Sequence, residues 1–168
     1  MHVKKLTVLA LFTTLSLAVY AVESAIPPLV PIPGIKLGLA NIITLILLQN
    51  ASAKDALMVL AARILLSSLL FGNVLSLLYS LCGGGLSLLA MMLGTRLLHG
   101  RLGFLTGALG GLAHNTGQLL IALMVTSTPS ITAYFPFLIL SGILTGLFTG
   151  LCGQFAGRYL LRGRHLFR

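Results

Sequence analysis

Arg63, His114, Asn115, Gln118 and Asn41 are the residues most able to do chemistry, and all of them stand inside otherwise apolar runs. An arginine in the middle of a membrane span costs roughly 2.5–3.5 kcal/mol on insertion scales, so a partner group, a wet cavity or an anionic ligand must offset it. The stretch GGLAHNTGQLL, Gly110–Leu120, carries His114, Asn115 and Gln118 together. Continuing the glycine spacing of that run by three or four residues from Gly111 lands on His114 or Asn115, then on Gln118. These groups are therefore expected on the protein-facing side of one helix. Two roles fit them: polar groups that hydrogen-bond one another across helices, or anchors for a small-molecule substrate. Arg63 with His114 leans to the second, because ionisable groups inside a membrane usually serve function.

Catalytic constellations are poor by comparison. The chain has two acids, Glu23 and Asp55. No DDxxD-like cluster is present to hold magnesium for diphosphate chemistry. No Ser-His-Asp set is expected, since neither acid is placed near His114 in depth by span counting. No phosphate-binding P-loop occurs. Cys82 and Cys152 sit in apolar runs without a CxxC or a histidine at metal spacing, which reads as buried small hydrophobes rather than a disulfide or zinc site. No cofactor and no metal are expected, and an enzymatic role is disfavoured. Ser52, three residues before Asp55, reads as a capping box that gives this acid a structural task.

The elements that would position these residues follow from composition. Of 168 residues 57% are hydrophobic and 8% charged, against about one quarter charged in ordinary soluble domains. Apolar runs recur along the whole length, which predicts one all-α integral membrane domain over 1–168. The expected spans are Leu6–Val22, Leu37–Gln49, Ala56–Phe71, Val74–Leu98, Gly103–Val125 and Tyr134–Leu160. The 43-residue apolar stretch from Ala56 to Leu98 is too long for one crossing of about 20 residues, and its break is placed at Gly72-Asn73. The first run also resembles a secretory signal with VYA at its end. More membrane follows it, so an uncleaved helix is expected. The net charge of +9 is not a nucleic-acid footprint here, because cytoplasmic loops of membrane proteins retain Lys and Arg. Six spans place nine basic residues (Lys4, Lys5, Lys54, Arg96, Arg101, Arg158, Arg162, Arg164 and Arg168) on one side and Lys36 on the other. That predicts a multi-pass membrane protein with both termini cytoplasmic.

Small residues at four-residue spacing mark close helix contacts in lipid. Gly103, Gly107 and Gly111 form one such stripe, and Gly142, Gly146 and Gly150 another, continuing to Gly153 and Gly157. Two glycine stripes suggest close packing of the fifth and sixth helices. A third, Ala10, Thr14 and Ala18, lies on the first run. Between the first two runs, ESAIPPLVPIPGIKLG holds Glu23, Pro27, Pro28, Pro31, Pro33, Gly34 and Lys36. Prolines keep such a segment extended and out of a helix. This reads as a gating loop over an external pocket, or as a rigid connector.

The run ESAIPPLVPIPGIKLGLANIITLILL, with five further spans after it, resembles the bacterial Gx transporter family, often labelled heptaprenyl diphosphate synthase component I. That family is similar in turn to the S components of energy-coupling factor transporters. The resemblance implies a six-helix membrane fold and a gate formed partly by the loop after helix one. It also implies docking of a membrane coupling subunit, with separate ATPase chains, through small residues on helix one. The Ala10, Thr14 and Ala18 stripe fits that task. The expected function is a substrate-binding subunit for uptake of a small, vitamin- or precursor-like molecule. The alternative is a noncatalytic membrane subunit associated with polyprenyl diphosphate or quinone synthesis.

Overall fold

The computed structural model describes residues 3–26, 36–71, 73–98 and 102–160. Those residues form six α-helices: α1 Val3–Ser24, α2 Asn41–Asn50, α3 Ala53–Phe71, α4 Val74–Leu97, α5 Gly103–Thr126 and α6 Phe135–Leu160. A 3-10 turn over Pro129–Tyr134 leads into α6. The break between α3 and α4 falls where the Gly72-Asn73 pair predicts it, and Asn73 caps α4 by accepting the Ser76 N–H at 2.9 Å. The start of α3 is a capping box: Asp55 N–H donates to Ser52 Oγ at 3.2 Å, and the hydroxyl donates to Asp55 Oδ2 at 2.7 Å.

Contacts between helix ends define an up-and-down arrangement. Lys5 at the start of α1 pairs with Asp55 at the start of α3, at 2.8 Å, so these two helices run the same way. Tyr20 near the end of α1 bonds Ser76 near the start of α4 at 3.0 Å, so α4 runs back. Gly103 and Gly111 of α5 meet Gly150 and Gly142 of α6 in antiparallel order. Lys4, Lys5, Lys54, Arg96 and Arg158 gather at one end of the bundle, and Lys36 belongs to the other.

Six helices stand where six membrane spans are expected, and they differ in length. Among the described residues, four stretches are long and apolar enough to cross: α1, α4, α5 and Pro129–Tyr159. α2 has only 10 residues and rises about 15 Å, half of a hydrocarbon core of roughly 30 Å. Its helix begins at Asn41 rather than Leu37, because residues 36–40 are turn and coil. α3 has 19 residues but carries Lys54, Asp55 and Arg63.

Polarity is distributed inside-out relative to a water-soluble domain. Large apolar side chains such as Leu69, Met124 and Phe148 lie on the outer surface. Thr44, Arg63, Ser67, Ser87, Thr106, His114, Asn115 and Gln118 are buried. This is the arrangement expected of a multi-pass membrane protein, in which polar groups avoid lipid by facing one another. α5 and α6 approach until backbone meets backbone: a Cβ on Gly107 would strike the Gly146 carbonyl, and one on Gly150 would lie 2.5 Å from the Gly103 carbonyl. The later glycines of α6 serve α2 instead, Gly153 against Leu45 and Gly157 against Asn50.

Candidate functional site

The end of the bundle that holds Lys36 contains a narrow pocket lined by Tyr20, Glu23, Lys36, Gly38, Ala40, Asn41, Arg63, Ser80, His114 and Gln118. It encloses about 240 Å³ of space between atoms, its mouth included, with room for little more than water between the facing side chains. Five segments build it: the entrance to α2, which contributes Lys36, Gly38, Ala40 and Asn41, and four further helices. α1 contributes Tyr20 and Glu23, three residues apart and so on one face. Ala10, Thr14 and Ala18 lie on the opposite, exposed side of the same helix. α3 contributes Arg63, 3% exposed. α4 contributes Ser80. α5 contributes His114 and Gln118, one turn apart.

Glycines make the convergence possible. A Cβ on Gly83 of α4 would lie 3.0 Å from Gln118 and 3.1 Å from the His114 ring. On the adjoining face, one on Gly84 would lie 3.4 Å from Arg63 Nη2. Gly85, third of the triplet, faces open space. Gly38 has φ +81°, and a Cβ there would sit 2.8 Å from His114 Cδ2 and 2.9 Å from Asn41 Nδ2.

The hydrogen bonds organise the entrance to α2. Glu23 Oε1 accepts the Gly38 N–H at 2.6 Å and Oε2 accepts the Leu39 N–H at 2.9 Å, so the carboxylate caps the chain as it enters the helix. The Lys36 N–H donates to Gln118 Oε1 at 3.1 Å, and its Nζ donates to Ser24 Oγ at 2.5 Å. The same Nζ lies 3.5 Å from the centroid of the Tyr20 ring, and Arg63 Cζ lies 5.6 Å from it. Glu23 and Arg63 are near enough to act on each other electrostatically without forming an ion pair in contact. Arg63 Nε has no hydrogen-bond partner. Neither His114 ring nitrogen has a bond of good geometry, although the Gly83 backbone lies beside the ring.

The structure therefore brings together Arg63, His114, Gln118 and Asn41 with Glu23 and Lys36. It sends Asn115 elsewhere: its Nδ2 donates to the Leu138 carbonyl at 2.8 Å and to Ser141 Oγ at 3.1 Å, in the contact with α6. Asn115, not His114, continues the Gly107–Gly111 stripe. Pro27, Pro28, Pro31, Pro33 and Gly34 lie outside the described residues. One expectation is corrected: Glu23 is not remote from His114 but lines the same pocket, since the chain folds back at Gly38 between them. Tyr20 and Ser80 escaped sequence reasoning. Tyr20 carried a signal, being three residues before Glu23 on one helical face, whereas a serine in an apolar helix carries none.

A family model described as heptaprenyl diphosphate synthase component I matches residues 12–156. No curated protein and no solved structure matches the chain.

Proposed function

Because the chain belongs to the heptaprenyl diphosphate synthase component I family, and because its buried polar pocket stands among apolar helices, we propose that it is a membrane-embedded, noncatalytic binding subunit. In the fuller form of this reading, it captures a small molecule for uptake and depends on separate coupling and ATPase chains. Both termini then lie in the cytoplasm of a bacterial cell and the pocket opens outward. The observation that carries it is the set of unpartnered buried polar atoms, Arg63 Nε and the His114 nitrogens, converging on one cavity. Small-molecule sites have this form, apolar walls with a few convergent polar anchors. The exposed small-residue face of α1 supports a membrane partner, as close helix approach in lipid needs such residues. A kinship with energy-coupling factor S components belongs to this proposal.

The second reading is a membrane component serving polyprenyl diphosphate synthesis, which the family's description favours. Purification from native membranes separates the two. Copurifying coupling and ATPase chains support uptake, and a soluble synthase with Asp-rich motifs supports the second. Mass spectrometry of retained small molecules tests the binding role common to both. Arg63→Leu removes a buried charge that has no carboxylate in direct contact, so the variant is expected to fold. Ligand affinity should fall about thirtyfold or more, since an ion pair with the ligand is lost. Thermal stability and affinity measured on one sample check this. A folded variant with unchanged affinity refutes the site.

A further inference from the structure

The pocket holds two cations and one carboxylate. Arg63 and Lys36 face Glu23, and the carboxylate is already engaged by the Gly38 and Leu39 amides. The chain has one other acidic side chain, Asp55, and it is committed to Lys5 at the start of α3. The intervening segment, residues 27–35, contains no charged residue by sequence. No side-chain carboxylate remains to neutralise the surplus positive charge, which Lys36 holds at the half-buried mouth, where its ammonium meets Ser24 and the Tyr20 ring. Arg63 Nε and the His114 nitrogens are left without partners in the same space, on side chains only 3% and 4% exposed.

We infer that the pocket takes a small organic monoanion, a carboxylate or the singly charged form of a phosphate ester. Its oxyanion accepts from Arg63 with His114 alongside, and Glu23 holds the site to a single compensating charge. This rests on the binding-subunit reading above. The guanidinium presents paired N–H donors that match two oxyanion oxygens. Lys36 Nζ over the Tyr20 ring supplies charge near the mouth. The narrow cavity limits the buried part of the ligand to little more than its acidic group, with the remainder leading out through the mouth. Glu23 is a built-in competitor: it occupies the α2 amides and offsets one cation. Neutralising it therefore strengthens anion binding, whereas a site built to bind a ligand cation through Glu23 would respond in the opposite sense.

The test uses the full-length purified protein with benzoate, phenyl phosphate and benzamide, followed by thermal unfolding and calorimetry. Benzoate and benzamide share a shape and differ in charge, and phenyl phosphate, assayed at about pH 5 where it is singly charged, distinguishes the two oxyanion classes. One or both anions should stabilise the protein, and benzamide should not. Glu23→Gln keeps an acceptor oxygen and should raise anion affinity several-fold. Arg63→Gln should lower it by about thirtyfold or more, as loss of a buried charge partner does. Lys36→Met leaves the backbone bond to Gln118 in place, so it keeps the inference testable if Glu23→Gln fails to fold. It should weaken the anion and leave benzamide unaffected. Equal stabilisation by benzamide overturns the charge assignment and leaves the binding-subunit reading standing. Weaker anion binding in folded Glu23→Gln, unchanged affinity in folded Arg63→Gln or Lys36→Met, or no binding of either oxyanion at millimolar concentration also overturns it.

Discussion

Gly38 combines a left-handed backbone with the close approach of two site residues. Its φ of +81° and the 2.8 Å separation a Cβ would have from His114 are independent penalties. Gly38→Ala is expected to lower stability by about 2–4 kcal/mol, from left-handed strain together with overpacking. It should also disturb ligand retention, as both clashes fall on site residues. Denaturation midpoints of the two proteins in one detergent check this. Asp55 makes a pH-dependent contribution at the opposite end. Burial pushes its carboxyl up, but Lys5 and Ser52 outweigh that and hold it below its ordinary value. A carboxylate lowered in this way stabilises the fold above its unfolded value, roughly 3.9, and that contribution is lost as pH falls through the folded value. Asp55→Asn should cost about 1 kcal/mol near neutrality, the scale of a lost helix cap. The deficit should shrink as pH falls through the folded value, seen in paired unfolding curves. Residue type alone exposed Arg63, His114, Gln118 and Asn41, since polar groups in apolar runs stand out. Asn115 stood out equally, and its destination against α6 depended on a rotation of one residue around α5.

The α5–α6 contact is the best-specified pairing of elements. A Cβ on Gly146 would strike the Gly107 carbonyl and lie 2.8 Å from Ala108 Cα, both backbone, so neither neighbour can yield by rotating a side chain. Gly146→Ala is expected to cost about 2 kcal/mol or more through overpacking. Gly85→Ala is the control: that site is open, and replacing a helical glycine should be neutral or gain up to about 1 kcal/mol. Opposite signs in the same thermal assay would confirm that packing, not helix propensity, governs Gly146. The spacing of glycines announced this pairing in the sequence. The similar spacing of Ala10, Thr14 and Ala18 announced nothing equivalent, because those residues lie on the exposed side of α1. A stripe records the capacity for close approach and not the identity of what approaches.

At the scale of the whole molecule, the basic side chains of the described residues are polarised along the bundle axis. Lys54 and Thr128 are exposed near opposite ends, at the start of α3 and after the end of α5. On the proposed orientation, in which the basic end faces the cytoplasm, a cysteine at Thr128 should react with an impermeant reagent added to intact cells. One at Lys54 should react only after permeabilisation. Labelling in the reverse order would invert the orientation. Helix alternation does not depend on how many of the described stretches are long enough to cross. Contacts at the ends of α1, α3 and α4 require the chain to travel up and down whether or not α2 spans the full thickness.

The class of this protein and most of its helix boundaries follow from the sequence, because lipid compatibility is a property of local composition. Apolar runs, a Gly-Asn break and a Ser-x-x-Asp cap each act within a few residues. The excess of positive over negative side chains was equally plain. Only the tertiary structure decided where that excess matters. Folding at Gly38 brings Glu23 from the end of α1 onto the amides at the entrance to α2, beside Arg63 and His114 from two other helices. Burial separates neighbours that sequence places together, and Asn115 turns to α6 while His114 turns to the pocket. A charge balance inside a cavity sums over residues distant in the chain, so no local pattern encodes it.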